Sequence, residues 1–345
     1  TFQTTIWLSS MPFGTLTSAV EGAALSLGEA MTPITLNYTS QAGNGTIYNG
    51  TGNVSMVKDI SNGSGSSYAS YLTAIGNTLY FQASDGTNGT ELWKSDGTAS
   101  GTVMVKDINS GSGSSPQALT VIGNTLYFTA DDGTNGEELW KSDGTASGTV
   151  LVKDIRPGGP GSNLGSFTAV GNTLYFQAND GTNGIELWKS DGTANGTVMV
   201  KDIYSGSSSS SPDYLTAVGN TLFFVADDGT NGKELWKSDG TASGTVMVKD
   251  IRSGSYSSTP HHLTAIGNTL YFSADDGNNG RELWKSDGTA NGTVMVKDIS
   301  SGSGPGSPSG FTALGSSLYF RAYDPTNGIE LWKSDGTANG TVMVK

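Results

Sequence analysis

Acids and amides recur in this chain at a spacing that would suit a hard cation. Asp85, Asp132, Asp180, Asp228, Asp276 and Asp324 are each followed three residues later by an asparagine: Asn88, Asn135, Asn183, Asn231, Asn279 and Asn327. Carboxylate, amide and loop carbonyl oxygens are the ligands Ca2+ takes. The first five pairs, Asp85/Asn88 to Asp276/Asn279, are the candidate ligand or calcium loops. In the sixth, Pro325 follows the aspartate and departs from the pattern. The same residue types have a plainer use, since Asp and Asn cap turns by accepting backbone N–H bonds and Asn-Gly favours positive φ. "DGTNG" also lacks the ligand density of an EF-hand. Apart from this optional Ca2+, the sequence calls for no cofactor and no metal.

Other reactive side chains form no catalytic set. The two histidines, His261 and His262, are adjacent in a segment where other units carry "QA", "GS" or "DY". An exposed loop pair is expected there, because a metal site needs further ligands at the same place. Glu91 and Lys94 alternate along a strand, as do their counterparts in each unit. Acid–base catalysis needs paired groups in different environments, and identical copies offer no such difference. Asp96, Asp143, Asp191, Asp239, Asp287 and Asp335 sit in "SDGT", which reads as a turn. No catalytic residue and no enzymatic activity are assigned.

Two columns vary where the rest is constant. After "NG" the units carry Thr90, Glu137, Ile185, Lys233, Arg281 and Ile329; within the second strand they carry Gln82, Thr129, Gln177, Val225, Ser273 and Arg321. A lectin with equal sites should repeat its ligand contacts, and these columns do not. A multivalent glycan site would have to use the constant Trp, Asp and Asn instead.

These residues are carried on a repeat. "ELWKSDGT" begins at Glu91 and returns at Glu138, Glu186, Glu234, Glu282 and Glu330. Trp93, Trp140, Trp188, Trp236, Trp284 and Trp332 are spaced by 47, 48, 48, 48 and 48 residues, a period typical of solenoids, propellers and arrays. One unit, from Leu215, reads "LTAVGNTLFFVADDGTNGKELWKSDGTASGTVMVKDI". It divides into four short strands, "LTAVG", "TLFFVAD", "KELWKS" and "TVMVKDI", joined at Gly-Asn, Asp-Gly and Asn-Gly steps that tolerate positive φ. Longer Ser/Gly-rich segments connect the units. Three hairpins and a longer crossover per unit are the layout of a β-propeller. A β-helix coil needs only about 20 residues, and helical periodicity is absent. The expected fold is all-β: a β-propeller of six four-stranded blades of about 48 residues, seven if the N-terminal region completes a blade. The near-continuous "TLYF" suits strands buried on both faces, and each Trp is expected to pack between adjacent blades.

The pattern "GNTLYF…DGTNG.ELWKSDGT..GTVMVKDI" resembles the ELWxxDGT repeat of large bacterial secreted and surface proteins, and more loosely the kelch pattern. The match covers roughly residues 68–345. The resemblance implies a β-propeller on an exported protein and supplies no catalytic residues to carry over.

Composition sets further bounds. Of the 345 residues only 35% are hydrophobic and 50 are Gly, but 7 Trp, 13 Tyr and 11 Phe supply core material that disordered chains lack. With no Cys there is no disulfide framework. A net charge of −13 argues against nucleic acid, whose phosphates need a basic face. No apolar run approaches the roughly 20 residues of a membrane span. The first residue is Thr, which suggests a processed or truncated chain, and the Gly/Ser/Thr/Asn-rich composition points to an extracellular or cell-surface location.

Residues 1–51 do not match the repeat and read as an N-terminal extension, with the propeller over 52–345. "GNVSMVKDI" (52–60) duplicates a fourth strand, one more than six blades need. Three roles are open to it: part of a seventh blade completed by residues 1–50, a strand that displaces 341–345 to close the ring, or a partner for another subunit. Gly52, Val54, Met56 and Ile60 are therefore the assembly candidates. An unpaired strand edge is a template for another chain, and a head-to-tail contact of that kind gives a filament unless it closes. The function expected is that of a noncatalytic structural or adhesive surface protein that self-associates; the alternative is a lectin-like propeller with a glycan or surface ligand.

Overall fold

A computed structural model describes residues 55–345 and, before them, only the backbone of two short strands, β1 (Thr39–Ser40) and β2 (Gly43–Asn44), paired antiparallel. The chain divides into two compact units, Thr1–Met56 and Val57–Lys345, and the second carries all six repeats. Gly52, Val54 and most of the 1–51 extension lie outside the described residues.

Each repeat forms one four-stranded antiparallel sheet with its strands in chain order. In the first blade these are β3 (Ser70–Ile75), β4 (Thr78–Ser84), β5 (Thr90–Ser95) and β6 (Val103–Lys106). Five equivalent sheets follow over 117–153, 165–201, 213–249, 261–297 and 309–343. The first strands of successive blades lie side by side, and the described residues contain no helix. The unit is a β-propeller of six blades.

Strand periodicity explains why "TLYF" is apolar throughout. Successive side chains point to opposite faces, and both faces of a blade are covered. Phe81 lies opposite Trp93, which lies opposite Met104, so these share one face. Tyr80, Leu92 and Val105 of the first blade pack instead against Leu126, Phe128, Ala130 and Trp140 of the second. The same two half-sets meet at every later junction, with Phe223 in place of the tyrosine in the fourth blade. Each blade thus has a leading face, carrying Phe and Trp, and a trailing face, carrying Tyr, Leu and Val.

The strand limits differ from those expected at both edges of the blade. In the fourth unit the first strand starts at Asp213, not Leu215, because a bulge between Asp213 and Thr216 extends the pairing, with Tyr214 at φ 54°. The fourth strand is only Val246–Lys249: Asp250 and Ile251 leave the sheet, and Ile251 enters the cluster shared with the next blade.

Of the duplicated segment 52–60, only residues 55–60 are described. Residues 55–60 form no strand, whereas Val342–Met343 pairs within its own blade, opposite Lys333 and Trp332. Ile60 packs against the leading face of the first blade beside Phe81 and Trp93. Lys58 there repeats what Lys106 does one blade later: Lys58 Nζ donates to the Thr102 carbonyl and Lys106 Nζ to that of Thr149, both at 2.7–2.8 Å. Met56 is exposed.

Among the described residues nothing comparable covers the far side of the sixth blade. Leu331 is 48% exposed, while Leu92, Leu139, Leu187, Leu235 and Leu283 are at 0%. Leu314 and Val344 of the same trailing face are exposed too.

Candidate functional site

Each letter of the repeated octapeptide has a contact. Glu91 is fully buried on the third strand. Its carboxylate accepts the N–H groups of Ile108, Asn109 and Ser114 and the Ser114 hydroxyl, fastening the crossover to the next blade. Glu138, Glu186, Glu234 and Glu282 hold their crossovers in the same way. Burial pushes these carboxyls up, against the opposing hydrogen bonds, to about 7 for Glu138, Glu234 and Glu282. Glu91 and Glu186 shift in the same direction for the same reason.

Leu92 fills the trailing face and Trp93 the leading face. The six indoles are 5–6% exposed, and the lysine of the preceding "VKD" lies over each, as Lys106 does over Trp140 at 5.7 Å. The buried indole Nε1 atoms have no acceptor among the described residues. Lys94 Nζ reaches the Gly144 carbonyl of the next blade at 2.8 Å, and the corresponding bond recurs from Lys141, Lys189, Lys237 and Lys285. Ser95 Oγ bonds the Thr102 hydroxyl at 2.7 Å and accepts Gly97 N–H.

Asp96 closes an Asx turn, accepting the N–H and hydroxyl of Thr98, and these bonds, the hydroxyl's first, hold its carboxyl below the usual range. From the second blade on, the glycine of the equivalent turn has a second constraint, which Gly97 in the first blade lacks. Gly144 has φ +88°, and a Cβ there would collide with the Tyr80 hydroxyl of the preceding blade. "SDGT" is therefore both a hairpin and the surface on which the previous blade seats its tyrosine.

The candidate calcium loops are closed upon themselves. Asp85 Oδ1 accepts the N–H groups of Thr87 and Asn88, and Oδ2 accepts the Asn88 amide. Asp132/Asn135, Asp180/Asn183, Asp228/Asn231 and Asp276/Asn279 repeat the pattern. N–H donors thus already point at both oxygens of each carboxylate, two at Oδ1 and one at Oδ2. In all five loops the aspartate is shifted down. For Asp85 the Asn88 N–H bond is the main cause; in the other four, loop hydrogen bonds outweigh the upward push of burial. Asp324 uses Oδ1 alone, consistent with Pro325 altering that loop.

The buried glutamate was not singled out by sequence reasoning. The signal is present, an acid that stands before Leu-Trp in all six units, but its donors come from a crossover whose sequence varies and whose contacts are mostly backbone N–H groups. The histidines are in fact on a strand, at the start of the fifth blade's first strand. There they meet Ser273, Arg281 and Arg321 from the two variable columns.

No family model matches the chain, and no curated protein does. Among solved structures it is similar to puromycin hydrolase, at 12% identity and a TM-score of 0.39 over 83% of this chain and 55% of that one. It is also similar to prolyl oligopeptidase B from Galerina marginata, at 10% identity and a TM-score of 0.47 over 80% of this chain and 43% of that one. A third is a puromycin-hydrolyzing peptidase of Mycobacterium tuberculosis, at 12% and 0.46 over 81% and 47%. The chain spans about half the length of these structures. The activities they are named for belong to those proteins, since a fold does not carry its function with it.

Proposed function

We propose that this chain is a noncatalytic propeller acting as a structural or adhesive element at the cell surface or outside the cell, and that it associates with copies of itself. The observation that carries this reading is the use made of "ELWKSDGT". Its Glu, Lys, Ser, Asp and Thr are occupied in crossover, turn and interblade hydrogen bonds, so the repeated chemistry serves cohesion. The ELWxxDGT resemblance supports an exported location. Self-association is supported by the sixth blade's trailing face, where Leu314, Leu331 and Val344 remain exposed although their counterparts are covered at five junctions. A second copy would cover that face, and the 1–51 extension is a second candidate for the contact. A lectin-like role through the constant loops is less favoured, because their Asp oxygens already accept hydrogen bonds.

Sedimentation velocity on the full chain over a wide concentration range tests this. Concentration-dependent association is expected, and Leu331→Asp, at an exposed position, should weaken it with the fold intact. A variant lacking residues 1–51 tells which surface is responsible. If the full chain stays monomeric at every concentration, self-association is wrong.

A further inference from the structure

A cavity of about 290 Å³ lies at the junction of the fifth and sixth blades. His261, His262, Arg281 and Arg321 line it together with Ser273 and Ser309, and no acid does. That is unusual for a chain with a net charge of −13. Each of these four side chains stands at a position where other units carry something else: Asp213 and Tyr214 in place of the histidines, Lys233 in place of Arg281, Ser273 in place of Arg321.

The two guanidiniums are held differently. Arg281 is locked by Nη1 donating to the carbonyls of Thr259 at 2.7 Å and Ser273 at 3.2 Å, and by Nη2 donating to the Thr259 hydroxyl. Among the described residues Arg321 is fixed only by Nε donating to Ser309 Oγ at 2.8 Å, and both terminal amino groups of its fork lack an acceptor there. Nearby acids are engaged elsewhere. Asp275 pairs with Arg252 at 3.2 Å, and Asp213 Oδ1 accepts from Ser166 and Tyr214. Burial first, then Arg281 and Arg321, lowers the proton affinity of His262, and burial and Arg281 do the same for His261.

We propose that this cavity binds a small oxyanion, the carboxylate or sulfate group of an acidic sugar or other small molecule, with the free fork of Arg321 as its bidentate partner and Arg281 as a fixed charge behind it. A planar guanidinium fork matches an oxyanion in two parallel hydrogen bonds. The site is single, so it differs in kind from a ring of equal lectin sites, and it does not depend on the chain's self-association.

His261 and His262 are the only histidines in the chain, so two imidazole signals in a proton NMR spectrum report on the cavity alone. The full chain is titrated at constant ionic strength with sodium sulfate, sodium glucuronate or neutral glucose, sodium chloride making up the balance. Saturable shifts of these signals with sulfate, glucuronate or both are expected, and which of the two acts separates the sulfate from the carboxylate source. Arg321→Gln, at an exposed position, should weaken the response about tenfold, the usual effect of losing a charged hydrogen-bond partner, without changing the circular dichroism of the fold. No saturable shift with either anion, an equal shift with glucose, or an unaltered response in Arg321→Gln would overturn the proposal.

Discussion

The buried glutamate is the residue with the clearest solution signature. A carboxyl whose proton affinity is raised by folding holds a proton that the unfolded chain releases. Its stabilising contribution is complete below the ordinary value of 4.5 and is lost as pH rises through about 7. Glu91, Glu138, Glu186, Glu234 and Glu282 all act in this sense. The midpoint of urea unfolding should therefore rise as pH is lowered from 8 to 5. Near and below 3.8 the loop aspartates reverse the trend, because their lowered values make a contribution that is lost on acidification. Glu138→Ala should cost about 1–3 kcal/mol by leaving the Ile155 and Arg156 N–H groups without their acceptor, and should make the pH dependence shallower. A slope identical to the parent's would place the effect in other groups.

At the scale of the strand and its turns, the molecule contains its own controls. Lys141 donates to the Gly192 carbonyl of the next blade; Lys333, its counterpart in the last blade, is exposed with no such acceptor among the described residues. Lys141→Ala should lower stability by about 1 kcal/mol, and Lys333→Ala should stay within about 0.5 kcal/mol of the parent, measured by thermal or urea unfolding. Equal losses would show that the interblade bond is not the cause. Strand count, hairpin positions and blade order could be read from the sequence because period-two apolarity and Gly-Asn or Asp-Gly steps are local signals. The bulge at Tyr214 and the early end at Lys249 could not: the bulge position carries a different residue in most blades, from Ala118 and Ser166 to His262 and Gly310, and Ile251 leaves the sheet to pack against the next blade. The calcium reading of Asp85 and Asn88 and the turn reading rest on the same residue types. Only the positions of the Thr87 and Asn88 N–H groups show that both carboxylate oxygens are engaged.

For the whole molecule, the interblade contacts all run the same way. Lys94 and Tyr80 reach forward to the second blade's "SDGT", Lys106 reaches forward to Thr149, and Glu91 fastens the chain as it passes forward. No blade makes the mirrored set, so the array has a head and a tail that differ chemically. At the head, Lys58 and Ile60 supply the first blade with a predecessor's contacts. At the tail, Tyr319, Leu331 and Lys333 have no successor among the described residues. In a chain whose stability is a sum of units and nearest-neighbour junctions, fraying should begin at one end. Amide hydrogen exchange should be fastest in the sixth blade and slow toward the middle ones, with the first blade better protected than the sixth. Equal protection at both ends would refute this directionality. Unfolding would then be vectorial: a puller attached at Lys345 would act on a blade clasped on one face only among the described residues, and one acting on the first blade would meet a side already clasped.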